Sequence, residues 1–294
     1  MKNNTVVVLG GAGLVGSLIC RVLNQYGYHI KVVDRRPGSF GNEYCNLDVN
    51  DTSNDNGHIF RDAMAVIVAL PEGVAVRAIP WVLKFVKPDV VIMPTCSVQV
   101  PFYVALKIIS PSQKFIGVNP MFSPSLSFQG RMVAICMEDG NVTETFIERH
   151  LMAAGMKTRR LTPAAHDELM ALCQSLPHAA ILGFGMALAN SSVDLALVEE
   201  VMPPPMRTMM ALLSRLLVNS PEVYWDIQLE NDQACRQREA LLQGVERLMA
   251  NVGSQNYECF KGDLQSISNA LGKRLNTGAI DCQYIFSLLN SKPC

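Results

Sequence analysis

Val6-Val7-Val8-Leu9 runs directly into Gly10-Gly11-Ala12-Gly13-Leu14-Val15-Gly16, and a helical stretch follows from Ser17 to Tyr26. Taken as G-x-G-x-x-G, the glycines are Gly11, Gly13 and Gly16. The first permits a tight turn, the second lets the backbone approach a pyrophosphate, and the third packs helix against strand. Leu14 and Val15 in this loop are placed with the cofactor, and the helix that follows offers N–H groups and the positive end of its dipole to that anion. The next strand ends in Asp34, eighteen residues past Gly16, where a carboxylate accepts the adenosine ribose hydroxyls and repels a 2′-phosphate. These features predict a dinucleotide site with NAD as cofactor. Arg35 and Arg36 come next and can hold a phosphate, which keeps NADP open. Leu70 and Pro71, at the end of a later strand, are placed with the cofactor as well. The competing explanation is a glycine-rich surface turn, and the strand before the loop and the helix after it argue against that.

Further along, four positions carry chemistry without forming a short motif: Ser97, Asn119, His178 and Arg215. Arg215 sits in an apolar helical run, 212–218, where an arginine calls for an anionic partner. That partner is either a substrate carboxylate or an acid on a neighbouring helix. Arg207, just after Pro203-Pro204-Pro205, is the substitute candidate. His166, near the start of a helix, is expected to orient a neighbour more readily than to react itself.

The elements that must position these residues follow from apolar periodicity. Short β-branched runs at 5–9, 30–33, 65–70, 90–93 and 115–118 alternate with helical stretches, the pattern of a mostly parallel sheet wrapped by crossover helices. A further strand is predicted at 131–137 and a helix at 143–154. Thr162-Pro163 is a good N-cap followed by proline at the first helical position. From 164 to about 289 apolar residues recur every three or four positions, and the three prolines force a turn between helices. The expected architecture is an α/β Rossmann domain over residues 1–160 followed by an all-α domain over 161–294.

Composition narrows the partners. With 25 basic and 26 acidic residues in 294, the net charge is −1, and no block of Lys or Arg would attract nucleic acid. The first apolar run, 5–9, is too short for a signal-peptide core or a membrane span, so a cytoplasmic protein with no membrane partner is expected. Nine cysteines are scattered singly with no metal-ligand spacing, as for reduced thiols used as small apolar residues. No metal is expected.

Gly117-Val118-Asn119-Pro120-Met121-Phe122-Ser123-Pro124 resembles the G-x-H-P-M-F-G-P segment of the prephenate dehydrogenase family. Cys96-Ser97-Val98-Gln99 is similar to that family's S-V-K turn, and His166-Asp167 and Leu176-Pro177-His178 to its H-D and L-P-H elements. Ser214-Arg215-Leu216-Leu217 falls where the family places a substrate-binding arginine. The similarity runs from about Val6 to about Leu248. It implies NAD(P)-dependent oxidative decarboxylation of a cyclohexadienyl small molecule, with a helical domain that dimerises and closes the active-site cleft against the Rossmann domain. It also implies that Ser97 bonds the reacting hydroxyl or amine end, that His178 contacts substrate, and that Arg215, with Arg207 and Gln99 as further candidates, binds it. The sequence departs from the pattern at its centre. Asn119 replaces the histidine that serves as base, Gln99 replaces the lysine, and Pro94 stands where an acid is usual. An amide cannot take up a proton at neutral pH. The favoured expectation is therefore an amine-bearing substrate, 4-amino-4-deoxyprephenate, oxidised to 4-aminophenylpyruvate. Prephenate oxidation for tyrosine synthesis and a non-catalytic NAD-binding regulator are the alternatives.

Overall fold

The computed structural model describes residues 4–36, 43–51, 56–138 and 145–290. Residues 1–3, part of the polar 50–57 loop, the first two residues of the helix expected at 143–154, and Cys294 lie outside the described residues.

The first half of the chain alternates as its apolar runs require. It comprises β1 (Thr5–Leu9), α1 (Leu14–Gln25), β2 (His29–Asp34), β3 (Glu43–Asn46), α2 (Gly57–Phe60), β4 (Ala63–Val68), α3 (Glu72–Phe85), β5 (Val91–Pro94), α4 (Val100–Ile109) and β6 (Lys114–Phe115). The six strands form one sheet in the order β3-β2-β1-β4-β5-β6, every neighbouring pair parallel. In this order the strand sequence reverses between β1 and β4, the place where open α/β sheets bind ligands at their carboxyl ends. The central strand β1 is buried along its whole length, as a parallel strand covered on both faces should be. Val7 and Leu9 pack with Ile79, Val82, Phe102 and Leu106 of α3 and α4. Val6 and Val8 pack with Ile19, Val22 and Leu23 of α1. Each such side chain contributes roughly 1.5–3 kcal/mol by leaving water.

The strand expected at 115–118 is two strands in two sheets. Ile116 still donates its N–H to Ile92 O, but from Gly117 the chain leaves the parallel sheet as β7 (Gly117–Pro120). It pairs antiparallel with β8 (Met132–Cys136), and β8 pairs parallel with β9 (Lys157–Leu161). Gly117 makes the change of direction tight: a Cβ there would lie 2.1 Å from Gln99 Oε1. Between β8 and β9 runs α5 (Phe146–Ala153), capped by Thr145, whose hydroxyl accepts the N–H of Glu148. Thr162 caps α6 (Pro163–Met170) by accepting the Ala165 N–H, as its sequence signature predicts.

By its internal contacts the chain divides into two compact units, Met1–Ala171 with Trp225–Asp232, and Leu172–Tyr224 with Gln233–Cys294. This division differs from the boundary expected at 160. α6 packs in the first unit against α4, β8 and β9. The chain adopts π-helical geometry over Ala171–Ser175 and then α7 (Leu176–Ala189), α8 (Leu195–Val201), α9 (Pro204–Leu217), α10 (Pro221–Leu229), α11 (Ala234–Gly253), α12 (Tyr257–Leu271) and α13 (Arg274–Asn290). Pro203 separates α8 from α9. In the second unit α7 packs on α9 and α11, and α9 on α13. The 27-residue stretch Pro163–Ala189 is long and apolar enough to cross a bilayer by length and composition, although it carries His166, Asp167, Glu168 and His178.

One buried ion pair braces the second sheet. Glu148 of α5 accepts from Arg160 Nε at 2.9 Å and Nη2 at 2.7 Å, and from Thr158 Oγ1 at 3.3 Å. Burial alone would raise the Glu148 pKa, but the Arg160 guanidinium and these donors hold it below the usual value. Arg160→Ala should destabilise the fold by about 1–3 kcal/mol, less than a fully buried pair because Arg160 still reaches water. Because the folded pKa of Glu148 is depressed, the pair stabilises above the ordinary carboxylate range, and its contribution disappears as pH falls through the folded value. Thermal melts of the variant and unmodified protein should therefore differ by several degrees at neutral pH and converge in acid.

Candidate active site

The glycine loop closes on the carboxyl ends of β1 and β4. Gly10 has φ +77°, a conformation L side chains rarely adopt, and a Cβ there would lie 2.1 Å from Ala69 O. A Cβ on Gly16 would lie 2.4 Å from Gly10 O, so the turn and the first turn of α1 are in backbone contact. Gly10, outside the G-x-G-x-x-G frame, is thus the residue that makes the tight turn expected of Gly11. Leu70 lies against it, 3.1 Å from the site of such a Cβ. Gly13 is the N-cap of α1 and no side chain caps the helix, with Leu14 exposed and Val15 half-buried in its first turn. Asp34, at the end of β2, accepts the Ala12 N–H at 3.0 Å and the Arg36 N–H at 3.0 Å. Burial would raise its pKa, but those N–H donors and the Arg36 guanidinium together lower it. Arg36 turns back on Asp34, while Arg35 is exposed. A tight glycine cradle with no room for a Cβ at Gly10 or Gly16, an uncapped helix start and an ionised carboxylate one strand away fit a dinucleotide. The loop from Gly11 to Gly13 would face its pyrophosphate, Gly16 would keep α1 close behind the loop, and Asp34 would meet its adenosine ribose.

The residues around the reacting centre gather at the ends of β5 and β7. Ser97, in the turn after β5, donates its N–H to Glu72 Oε1 at 2.7 Å, so its side chain lies beside that carboxylate. Glu72 opens α3 directly after Pro71, and burial, with Asp226 nearby, pushes its pKa up. Gln99 is fully buried. Its Nε2 donates to Cys96 O at 2.6 Å and its Oε1 finds no protein partner, so the side chain lines the sheet interior against Gly117. What Gln99 supplies is its backbone N–H, which Asp167 Oδ1 accepts at 2.8 Å; Asp167 Oδ2 accepts the Val100 N–H at 2.8 Å.

Those bonds begin a buried chain that ends on Asn119. Asp167 Oδ1 also lies 2.7 Å from His166 Nδ1, and His166 Nε2 lies 3.0 Å from Asn119 Nδ2. The carboxylate can only accept, so the imidazole carries its proton on Nδ1 and presents a lone pair at Nε2. That lone pair takes an N–H of the Asn119 amide. The amide is thereby oriented, and its carbonyl oxygen is the atom left to a ligand. His166 is wholly buried and Asn119 is 4% exposed. Asn231 Nδ2 completes the arrangement by donating to Asp167 O at 2.8 Å. The orienting part expected of His166 matches this geometry. Glu72 was not singled out from sequence; its signal was an acid directly after Leu70-Pro71. Asp167 was named only as part of the H-D element, without the contacts it makes here.

In the second unit, His178 near the start of α7 meets Tyr224 edge to face, ring centroids 5.1 Å apart. Burial, and then the positive charge of Arg215, lower its pKa, so it is a neutral ring at neutral pH. Its Nδ1 is buried without a protein partner, a condition that buried polar atoms seldom keep. α7 and α9 approach closely because Gly185 faces Leu213; a Cβ on Gly185 would lie 2.7 Å from Leu213 Cδ1. Arg215, in the last turn of α9, is exposed rather than buried in the apolar run. No carboxylate pairs with it among the described residues. Arg207, two turns earlier on α9, is also exposed.

Residues 162–266 match the model of the prephenate dehydrogenase dimerization domain, and residues 6–79 match that of the NAD dependent epimerase/dehydratase family. The chain is 34% identical over 271 residues to a 4-amino-4-deoxyprephenate dehydrogenase of Streptomyces pristinaespiralis, covering 91% of each chain. Its fold is that of the Aquifex aeolicus prephenate dehydrogenase solved with hydroxyphenyl propionate and NAD+, with a TM-score of 0.74 at 16% identity over 93% of this chain and 98% of that one. A Synechocystis arogenate dehydrogenase superposes with a TM-score of 0.67 at 17% identity, over 90% and 98% of the two chains. With a Rossmann glycine cradle, a helical second unit and a relative this similar over nine-tenths of its length, the chain belongs to the prephenate dehydrogenase family of NAD-dependent oxidoreductases.

Proposed function

We propose that this enzyme oxidatively decarboxylates 4-amino-4-deoxyprephenate to 4-aminophenylpyruvate, using NAD. The observation that carries the proposal is the fixed amide of Asn119. Where hydride leaves a carbon bearing a hydroxyl, the oxygen becomes electron-poor and a base that takes its proton lowers the barrier. Loss of such a base typically costs about 10²–10⁴ in rate. Where the carbon bears an amine, the nitrogen lone pair stabilises the developing cation, and loss of carbon dioxide leads directly to a neutral arylamine. A group that accepts an N–H hydrogen bond without taking the proton then suffices. Asn119 offers that, because His166 occupies its nitrogen and leaves the carbonyl oxygen. The name of the Streptomyces relative supports the same substrate. A bound nicotinamide supplies the hydride acceptor. Ser97 bonds the amine end, the neutral His178 ring contacts substrate, and Arg215, or Arg207 in its place, binds a carboxylate as a fork of donors.

The same reading makes the protein a soluble, cytoplasmic homodimer joined through its helical unit, with no nucleic acid or membrane partner. Leu242, Val245, Met249 and Val252 of α11 and Ile280 and Tyr284 of α13 are exposed, an apolar surface suited to a second copy. The apolar stretch Pro163–Ala189 is better read as part of this assembly than as a membrane span. Asp167 and His166 within it are tied to backbone N–H groups of α4 and to Asn119, contacts a bilayer would not provide.

Three outcomes follow. In steady-state assays of cofactor reduction, the unmodified enzyme should prefer the amino substrate to prephenate by at least about tenfold in kcat/KM, roughly 1.4 kcal/mol of discrimination, and Asn119→His should shift it toward prephenate. A preference of the unmodified enzyme for prephenate would return the assignment to tyrosine synthesis. Asp34→Ala should lower kcat/KM for NAD and narrow its advantage over NADP, since the freed Arg36 can then hold a 2′-phosphate. Equal use of both cofactors before mutation would credit the arginines instead. Arg215→Ala should weaken substrate binding by about 1.5–3 kcal/mol, the worth of charge-assisted hydrogen bonds, with NAD affinity and melting temperature unchanged. A lowered Tm at constant KM would make the residue structural.

A further inference from the structure

The amino substrate brings a difficulty that Asn119 does not solve. An aliphatic amine is an ammonium ion at neutral pH, without the lone pair that hydride loss requires, so one proton must leave before the reaction. The structure holds a carboxylate where that proton could go. Glu72 Oε1 accepts the Ser97 N–H at 2.7 Å, which sets the carboxylate beside the Ser97 side chain. The surroundings are acidic. Asp226 of α10 acts on Glu72 electrostatically. A cavity of about 240 Å³, lined by Glu72, Arg77, Cys96, Val98, Phe102 and Glu230, is large enough for several waters. Two further carboxylates against one guanidinium favour a cation beside Ser97. The buried Cys96 thiol is pushed far up by its burial and by these acids, so it stays neutral and takes no part.

We propose that Glu72, through the Ser97 hydroxyl, is the proton acceptor that converts the bound ammonium substrate to its reactive free amine. The inference rests on the amino substrate proposed above. In the step, an N–H bond of the ammonium breaks and its proton passes to Ser97 Oγ. The Ser97 hydroxyl proton passes to Glu72, which changes from carboxylate to carboxylic acid. The free amine then loses hydride from its ring carbon to the oxidised nicotinamide, and the bond to the ring carboxylate breaks. That electron pair restores the aromatic ring, leaving arylamine and carbon dioxide. The proton returns to solvent by way of the cavity that Glu72 lines. A carboxyl whose pKa lies above the ordinary range suits the task better than an exposed one, because it holds the proton more firmly. Here burial outweighs the Ser97 N–H and the Glu72 backbone N–H, which pull the other way.

The test is the pH dependence of kcat/KM for the amino substrate with NAD in the unmodified enzyme, Glu72→Gln and Ser97→Ala. The unmodified enzyme should show a rising acid limb set by Glu72 and a plateau through neutrality. Both variants should fall by about 10²–10⁴ at neutral pH and recover about tenfold per pH unit in alkali, as the free amine becomes abundant in solution. NAD affinity, read by fluorescence, should be unchanged. Ser97→Ala keeps the backbone N–H bond to Glu72 and decides the matter where Glu72→Gln folds poorly. Turnover of the amino substrate with an unaltered profile in both variants would overturn the role of Glu72 alone. No oxidation of the amino substrate by the unmodified enzyme would overturn the substrate assignment, and this inference with it.

Discussion

The carboxylate of Asp167 holds the first unit's chemistry in place. Its two oxygens take the N–H groups of Gln99 and Val100 at the start of α4, and one of them also takes the His166 ring. A buried anion is costly unless every lone pair is used, and here the partners are backbone donors that cannot swing away. The result is a fixed imidazole tautomer and, one bond further, a fixed amide at Asn119. The turn that carries Ser97 is fastened by the same contacts, since Gln99 and Val100 follow it directly. Helix, strand end and turn thus share one electrostatic anchor.

Asp34 and Glu72 apply the same physics to different ends. Asp34 is tied to the N–H groups of Ala12 and Arg36, and with the guanidinium this leaves it firmly ionised. Glu72 also accepts a backbone N–H, from Ser97, yet burial and a neighbouring acid leave it easier to protonate. The two carboxylates are set apart first by how deeply each is buried and then by whether the nearby charge is opposite or like. One is suited to recognition and the other to holding a proton.

Much of this was legible in the sequence, for physical reasons that also explain what was not. The glycine loop, β1, β2 and Asp34 are local: a strand, a turn and a helix start within some thirty residues, each with a distinct residue signature. Thr162-Pro163 likewise announces α6. β9 was hidden because Lys157-Thr158-Arg159-Arg160 carries three charges, and only Glu148, ten or more residues away, makes Arg160 compatible with a sheet. β3 is short and half exposed, so it lacks an apolar run. β6 and β7 merged into one expected strand because periodicity does not register a change of sheet; the close packing of Gln99 on Gly117 does. The site residues that carried a family motif were readable one by one. Glu72, and the part that Asp167 plays, became visible only when folding brought them to Ser97, Gln99 and Val100.

The chain from Asp167 through His166 has a consequence for how such enzymes can diverge. His166 Nε2 demands only that residue 119 present an N–H. An asparagine amide meets the demand with its nitrogen and keeps an oxygen at the other end. An imidazole meets it with one ring nitrogen and keeps the other. Either side chain satisfies the buried histidine without disturbing the anchor behind it, so the socket is indifferent to the reactivity of what it holds. A lineage could therefore exchange a proton-taking group for a proton-tolerating one, and one class of nutrient chemistry for another, by a change at one codon and with no interval in which the scaffold is broken.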